Sequence, residues 1–375
     1  MANVNDIPAY VSAEDGVKNF YHAFYETQEN KNIEPGFKEL EEVSGPLDLG
    51  DLIGIAPEIP ELTKASLSTK QHLIIHGPPG TGKTTLARKI AEWLDTEWVI
   101  LTATSDWTAH EVIGGYMPDG KGGIRFEPGI LLRNFDRTVI IDEFNRADID
   151  RAFGPLFSIL SGQPVMLPYA SKPADDSSPR VEIMPYARPH EVDLQERASY
   201  EYSPSPNWRL ICTLNTYDKA SLFQMSYALS RRFAWIYLGA PIDLTAFVSE
   251  WTAEKGWTED PLTQIATEES QPPIVRIWST INEIRPVGPA PIIDVMVTTR
   301  NLAHSSSNNY STMDWRTAAV HSLMLFVVPQ MEGIREDEAR RLSEAVRETL
   351  KTEYPGEALT QAIENLHTQI VSSAV

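Results

Sequence analysis

The stretch 72–85, HLIIHGPPGTGKTT, limits what this chain can fold into more than any other part of it. An apolar, β-favouring run leads into Gly77, Pro78, Pro79, Gly80, Thr81, Gly82, Lys83 and Thr84; Thr85 and a helical pattern follow. Every position of the GxxxxGK[ST] pattern is filled, and the flanks supply the strand and the helix that it needs. Glycines let such a loop turn its N–H groups inward, and the helix start points its positive dipole end at the same spot. The loop is expected to cradle phosphates, with Lys83 reaching the β- and γ-phosphates and Thr84 holding Mg²⁺.

A phosphate loop calls for parallel strands around it, and the chain offers them. Residues 97–104 (EWVILTAT) suit a buried parallel strand, and 138–143 (TVIIDE) form another that ends in two carboxylates. At the carboxyl end of a strand, where ligands sit in open α/β sheets, Asp142 is placed to serve Mg²⁺ and Glu143 to act as general base on the attacking water. Residues 209–215 (RLICTLN) bring Asn215 to the same edge, in reach of that water or the γ-phosphate. Arg231 and Arg232 precede a last strand over 234–238; such a pair commonly bridges surface carboxylates, or in an assembly reaches a neighbour's γ-phosphate.

Around these elements the organisation is legible in outline. Residues 1–70 read as an acidic extension with one helix near Val17, Phe20, Tyr21 and Phe24. The α/β unit spans 71–240, with a predicted hairpin insert at 113–132 and a polar, proline-rich insert at 163–208. Helical stripes dominate 241–375, including Ala339, Leu342, Val346 and Leu350, then Leu359, Ala362, Ile363, Leu366 and Ile370. Trp251, Trp257, Trp278 and Trp315 are expected in that core, and 286–294 (PVGPAPIID) marks a turn back toward the nucleotide.

Composition excludes several classes. A net charge of -20 argues against DNA binding by the whole surface and leaves only a pore loop for it. The single cysteine, Cys212, excludes an internal disulfide framework and sits in an apolar run as a core residue. No apolar stretch is long enough to span a membrane, and the N-terminus lacks a leader pattern, so a soluble cytoplasmic chain is expected.

With these motifs placed, the chain resembles the AAA+ ATPases, in particular the clade of dynein-related and MoxR-like ATPases and McrB-like restriction motors. The resemblance rests on Gly77 to Thr84, on IIDEFNRAD (140–148), on LNTYDKA (214–220) and on YALSRRF (227–233), with VVPQMEG (327–333) as a looser echo. It implies a P-loop NTPase core with strand order 5-1-4-3-2 and a small helical lid. It further implies a ring, expected to be a hexamer, in which Arg231 or Arg232 acts in trans, and two inserts placed near a central pore. Arg285 and Arg300 are the candidates for a second sensor. Leu214, Lys219 and Ala220 depart from the sensor of the restriction motor, which favours ATP over GTP. The function implied is remodelling or activation of a separate partner, a nuclease subunit or another remodelling substrate. The alternatives are a MoxR-type chaperone working with a von Willebrand-type protein, and a nucleotide-gated scaffold with negligible turnover.

Overall fold

The structure is a computed structural model. It describes residues 45–50, 52–69, 71–94, 96–120, 122–173, 175, 177–185, 200–205, 208–216, 226–257, 260–265, 271–304, 313–352 and 356–372. The helix predicted near Phe20 lies outside them, as do Lys219 and Ala220.

Among the described residues, ten strands form three sheets: β1 (His72–Gly77), β2 (Trp98–Thr102), β3 (Gly114–Pro118), β4 (Ile124–Pro128), β5 (Thr138–Asp142), β6 (Val165–Ala170), β7 (Arg180–Ile183), β8 (Glu201–Tyr202), β9 (Leu210–Asn215) and β10 (Phe233–Tyr237). The main sheet runs β10-β1-β9-β5-β2, all parallel. Counting only its own strands along the chain, this is the expected order 5-1-4-3-2. Central strands bury both faces, as their unbroken apolar runs require: Leu73, Ile74, Ile75, Val139, Ile140, Ile141, Leu210, Ile211 and Cys212 are all fully buried. One expectation fails here. β2 is not a buried strand but the edge of the sheet, with Trp98 37% exposed; among the described residues no strand pairs with it beyond β5. A short apolar run does not distinguish an edge from a centre, because that depends on which strand lies beside it.

Each face of the sheet carries a separate apolar core. One gathers Leu86, Ala87, Ile90 and Ala91 of the helix Lys83–Trp93 with Leu47, Ile59 and Leu67. Residues 45–69, which by sequence fall in the acidic extension, therefore add to the core of the α/β unit. The other face packs Phe144, Ile149, Phe153 and Leu156 against Val139, Ile141 and Phe233. The helical stretch after β5 is broken into short pieces, Ile149–Phe153 and Leu156–Ile159, at Gly154-Pro155, since a proline supplies no N–H to continue a helix.

Both inserts contain strands. β3 and β4 pair antiparallel as the predicted hairpin, and β6, β7 and β8 form a three-stranded sheet within the polar segment. The two are joined by aromatic contacts: the Tyr169 ring lies 5.1 Å from Tyr116 and 5.4 Å from Phe126, and the Ala170 N–H donates to the Tyr116 hydroxyl at 2.6 Å. Segments separated by some fifty residues thus pack as one unit.

A third core is wholly helical. Helices Leu244–Glu254, Pro273–Ile284, Pro289–His304, Trp315–Phe326, Glu336–Thr349 and Glu357–Ser372 surround Trp278, which is fully buried and meets Phe247 edge-on at 5.5 Å. The predicted stripes on the last two helices are buried to the final residue named. Trp251 belongs to this core, while Trp257 and Trp315 are partly buried against it. Asp243 and Asp314 cap two of the helices through their side chains.

Candidate active site

Register decides which residues meet at the carboxyl edge of the sheet. Gly77 of β1 lies opposite Asn215 of β9, and Ile141 of β5 lies opposite Cys212, so Asp142 falls level with Thr213. The end of β1, the end of β5 and the end of β9 therefore converge. A cavity of about 270 Å³ opens there, lined by Pro79, Gly80, Gly82, Lys83, Thr84, Thr85, Asp142, Glu143, Thr213 and Asn215.

The phosphate loop has the conformation that its glycines permit. Gly80 and Gly82 have φ of 74° and 87°, in the left-handed region where a Cβ would be strained. Gly77 serves close packing instead, since a Cβ there would sit 2.0 Å from the Leu238 carbonyl oxygen. The Lys83 ammonium donates to the carbonyls of Gly77 and Pro78 at 3.2 and 2.6 Å, and Thr81 Oγ1 donates to Pro78 at 3.1 Å. Burial lowers the pKa of Lys83 to about 8, against the opposing pull of the carboxylates of Glu143 and Asp142.

Two hydroxyls hold Asp142: Thr84 Oγ1 donates to its Oδ1 at 2.7 Å, and Thr213 Oγ1 to the same oxygen at 2.5 Å. A hydroxyl and a carboxylate side by side are the hard oxygen donors that Mg²⁺ takes when phosphates complete its shell. Among the described residues no cluster of three or more His, Cys, Asp or Glu could bind a metal by itself. The donor set thus fits a cation that arrives with a triphosphate.

Glu143 has φ of 55°, the one positive value outside glycine among the described residues. Such a conformation costs about 1–3 kcal/mol unless its surroundings fix it. Here Thr213 fixes it, because its Oγ1 accepts the Glu143 N–H at 3.2 Å while donating to Asp142. The Glu143 carboxylate is held on both sides. Asn215 Nδ2 donates to Oε1 at 2.7 Å, and Arg146 Nε stands 3.6 Å from Oε2.

The structure brings together Lys83, Thr84, Asp142, Glu143 and Asn215, all singled out from the sequence, and sets beside them Thr213 and Arg146, which were not. Thr213 carried a signal, a lone hydroxyl in the apolar strand LICTLN two residues before Asn215. Arg146 lay three residues after Glu143, within reach across a single turn. Arg231 and Arg232 do not line this cavity; Arg231 is exposed, and Arg232 Nε donates to Ser161 Oγ at 2.5 Å. Neither second-sensor candidate lines it. Arg285 donates to the Gln330 carbonyl at 2.6 Å, and Arg300 pairs with Asp260 at 3.6 Å while stacking on Trp257. The helical region instead touches the phosphate loop by its main chain, with Gly288 N–H donating to Pro79 O at 3.1 Å and Ala290 N–H to Gly80 O at 3.0 Å. The segment 286–294 does return to the loop, but only 286–288 are non-helical: from Pro289 it is already the helix Pro289–His304.

Residues 72–233 match the AAA domain family, dynein-related subfamily. The chain is 28% identical over 261 residues to the type IV methyl-directed restriction enzyme EcoKMcrB subunit of Escherichia coli K12, an alignment covering 64% of this chain and 50% of that protein. It is also 33% identical over 78 residues to the Holliday junction branch migration complex subunit RuvB of Phytoplasma mali, covering 21% of this chain and 22% of that one. The chain thus spans about half the length of the restriction subunit, and less of the other. In the order of its strands, the composition of its phosphate loop and these matches alike, residues 72–233 form an AAA domain similar to those of the dynein-related, McrB- and MoxR-like AAA+ proteins.

Proposed function

We propose that this chain binds ATP with Mg²⁺ in the cavity at the sheet edge, hydrolyses it within a ring of identical subunits, and spends the resulting motion on a separate partner protein. The observation that carries the reading is the convergence of Lys83, Thr84, Asp142, Glu143 and Asn215 on one cavity. Lys83 and the loop amides bind the phosphates, and Thr84 and Asp142 are the residues to hold Mg²⁺. When bound, the metal neutralises charge on the phosphate oxygens. Glu143 takes the proton of the attacking water, and Asn215 and Arg146 orient its carboxylate for that.

Among the described residues that line the cavity there is no arginine. In this reading a neighbouring copy adds positive charge opposite the γ-phosphate, and Arg231, exposed two residues before β10, is suited to supply it, with Arg232 beside it. A ring, with six copies as the working number, is the assembly this reading expects. Likeness to a restriction subunit makes a nuclease-type partner the first to test, in the manner of a modified-DNA restriction or related defence system. ATP is preferred over GTP in this reading.

Glu143→Gln tests it. The variant keeps the shape and the Asn215 contact but loses the base, so it binds ATP and assembles while turnover falls by ~100-fold or more. Phosphate release at the wild-type rate from this variant would discard Glu143 as the base.

A further inference from the structure

The phosphate loop is gripped from outside the sheet, by a turn of the helical region. In the segment 286–291, PVGPAP, three of six residues are prolines, and the remaining amides are all engaged. Val287 N–H donates to Asn282 Oδ1 at 2.9 Å, Gly288 N–H to Pro79 O at 3.1 Å and Ala290 N–H to Gly80 O at 3.0 Å. The Val287 carbonyl in turn accepts from Trp278 Nε1 at 3.0 Å, which ties the turn to the centre of the helical core. The approach is as close as backbones allow: a Cβ on Gly288 would stand 2.3 Å from the carbonyl carbon of Gly80 and 2.5 Å from the Thr81 nitrogen.

Peptide geometry gives this contact a consequence. No described peptide bond is cis, and in a trans peptide the C=O and the following N–H point in opposite directions. Fixing the Pro79 and Gly80 carbonyls toward the helical region therefore turns the Gly80 and Thr81 N–H groups the other way, as phosphate donors must point. Resting on the nucleotide-binding reading above, we propose that Gly288 and Ala290 are positioning residues for triphosphate binding: their main-chain N–H groups set the orientation of two phosphate-loop amides. The helical region thereby acts on the nucleotide through backbone contacts, in a chain whose arginines Arg285 and Arg300 are committed elsewhere.

The experiment compares wild-type protein, Ala290→Pro and Gly288→Ala for ATP·Mg²⁺ affinity by calorimetry, with circular dichroism and melting temperature as fold controls. Ala290→Pro deletes one donor at the first turn of the helix Pro289–His304, where no intrahelical bond is lost. It should weaken ATP ~3–10-fold. Gly288→Ala, which pushes the loop itself, should weaken it at least ~10-fold. Hydrogen exchange over 286–291 reads the amides of Val287, Gly288 and Ala290 alone, and adding ATP should slow it in wild type but not in Lys83→Ala. Both variants folded and binding ATP as wild type does, or exchange over 286–291 indifferent to ATP in a wild type that binds it, overturns the proposal and leaves the nucleotide reading standing. A wild type that binds neither ATP nor GTP overturns both.

Discussion

Thr213→Val is the sharpest perturbation of the site, because one hydroxyl there serves both Asp142 and Glu143. The side chain is 2% exposed, and valine matches its shape without its oxygen. Two bonds go: the donation to Asp142 Oδ1 at 2.5 Å and the acceptance of the Glu143 N–H at 3.2 Å. A hydrogen bond to an ionised carboxylate is worth about 1.5–3 kcal/mol, and a half-buried N–H left unpaired costs about 1–3 kcal/mol. Glu143 is then free to leave its left-handed conformation, which moves the base rather than removing it. If the loss from the carboxylate bond alone falls on the transition state, kcat drops ~10–100-fold. ATP affinity, dominated by the loop, stays within about threefold. Steady-state phosphate release with saturating ATP·Mg²⁺ measures the first, and calorimetry the second. Thr213→Ser restores the hydroxyl and should restore most of kcat. A valine variant that turns over within about twofold of wild type, or a serine variant as slow as the valine one, would refute the reasoning.

Two further outcomes are expected. Because burial holds Lys83 at about 8 and an arriving triphosphate favours its charged form, ATP binding at pH 8.5 should take up a proton, and affinity should fall as pH rises through 8. Calorimetry in buffers of different ionisation enthalpy detects the uptake, and none at pH 8.5 counts against a buried ammonium. The stability sign is separate: the folded pKa lies below that of the unfolded chain, so the cost of the buried charge is full below about pH 8 and is relieved between there and 10.5. Replacing Arg231 and Arg232 with alanine should spare ATP binding and abolish most turnover. Mixing that protein with Glu143→Gln subunits should return a minority of the activity, through interfaces that pair an intact base with an intact arginine. Full activity in the arginine-less protein alone would place the finger elsewhere.

How much could be read without coordinates follows from the range of the interactions involved. The phosphate loop is local: its glycines, lysine and threonine act within eight consecutive residues, and strand, turn and helix follow from neighbours in the chain. Parallel strands with unbroken apolar runs and polar tips are local patterns too, so Asp142, Glu143 and Asn215 could be singled out at strand ends once the phosphate loop was in place. Helical stripes such as Leu359 to Ile370 carried their own period, and all of them are buried as read. What sequence could not decide was who stands beside whom. The packing of Tyr116 and Phe126 on Tyr169 and Tyr202, and the bridge of Thr213 between two carboxylate residues, arise between segments far apart in the chain. The grip of Gly288 and Ala290 on the phosphate loop spans some two hundred residues, and it is made by main-chain groups that every residue but proline possesses. Side-chain chemistry is written in the sequence, whereas register and backbone contact exist only once the chain has closed on itself.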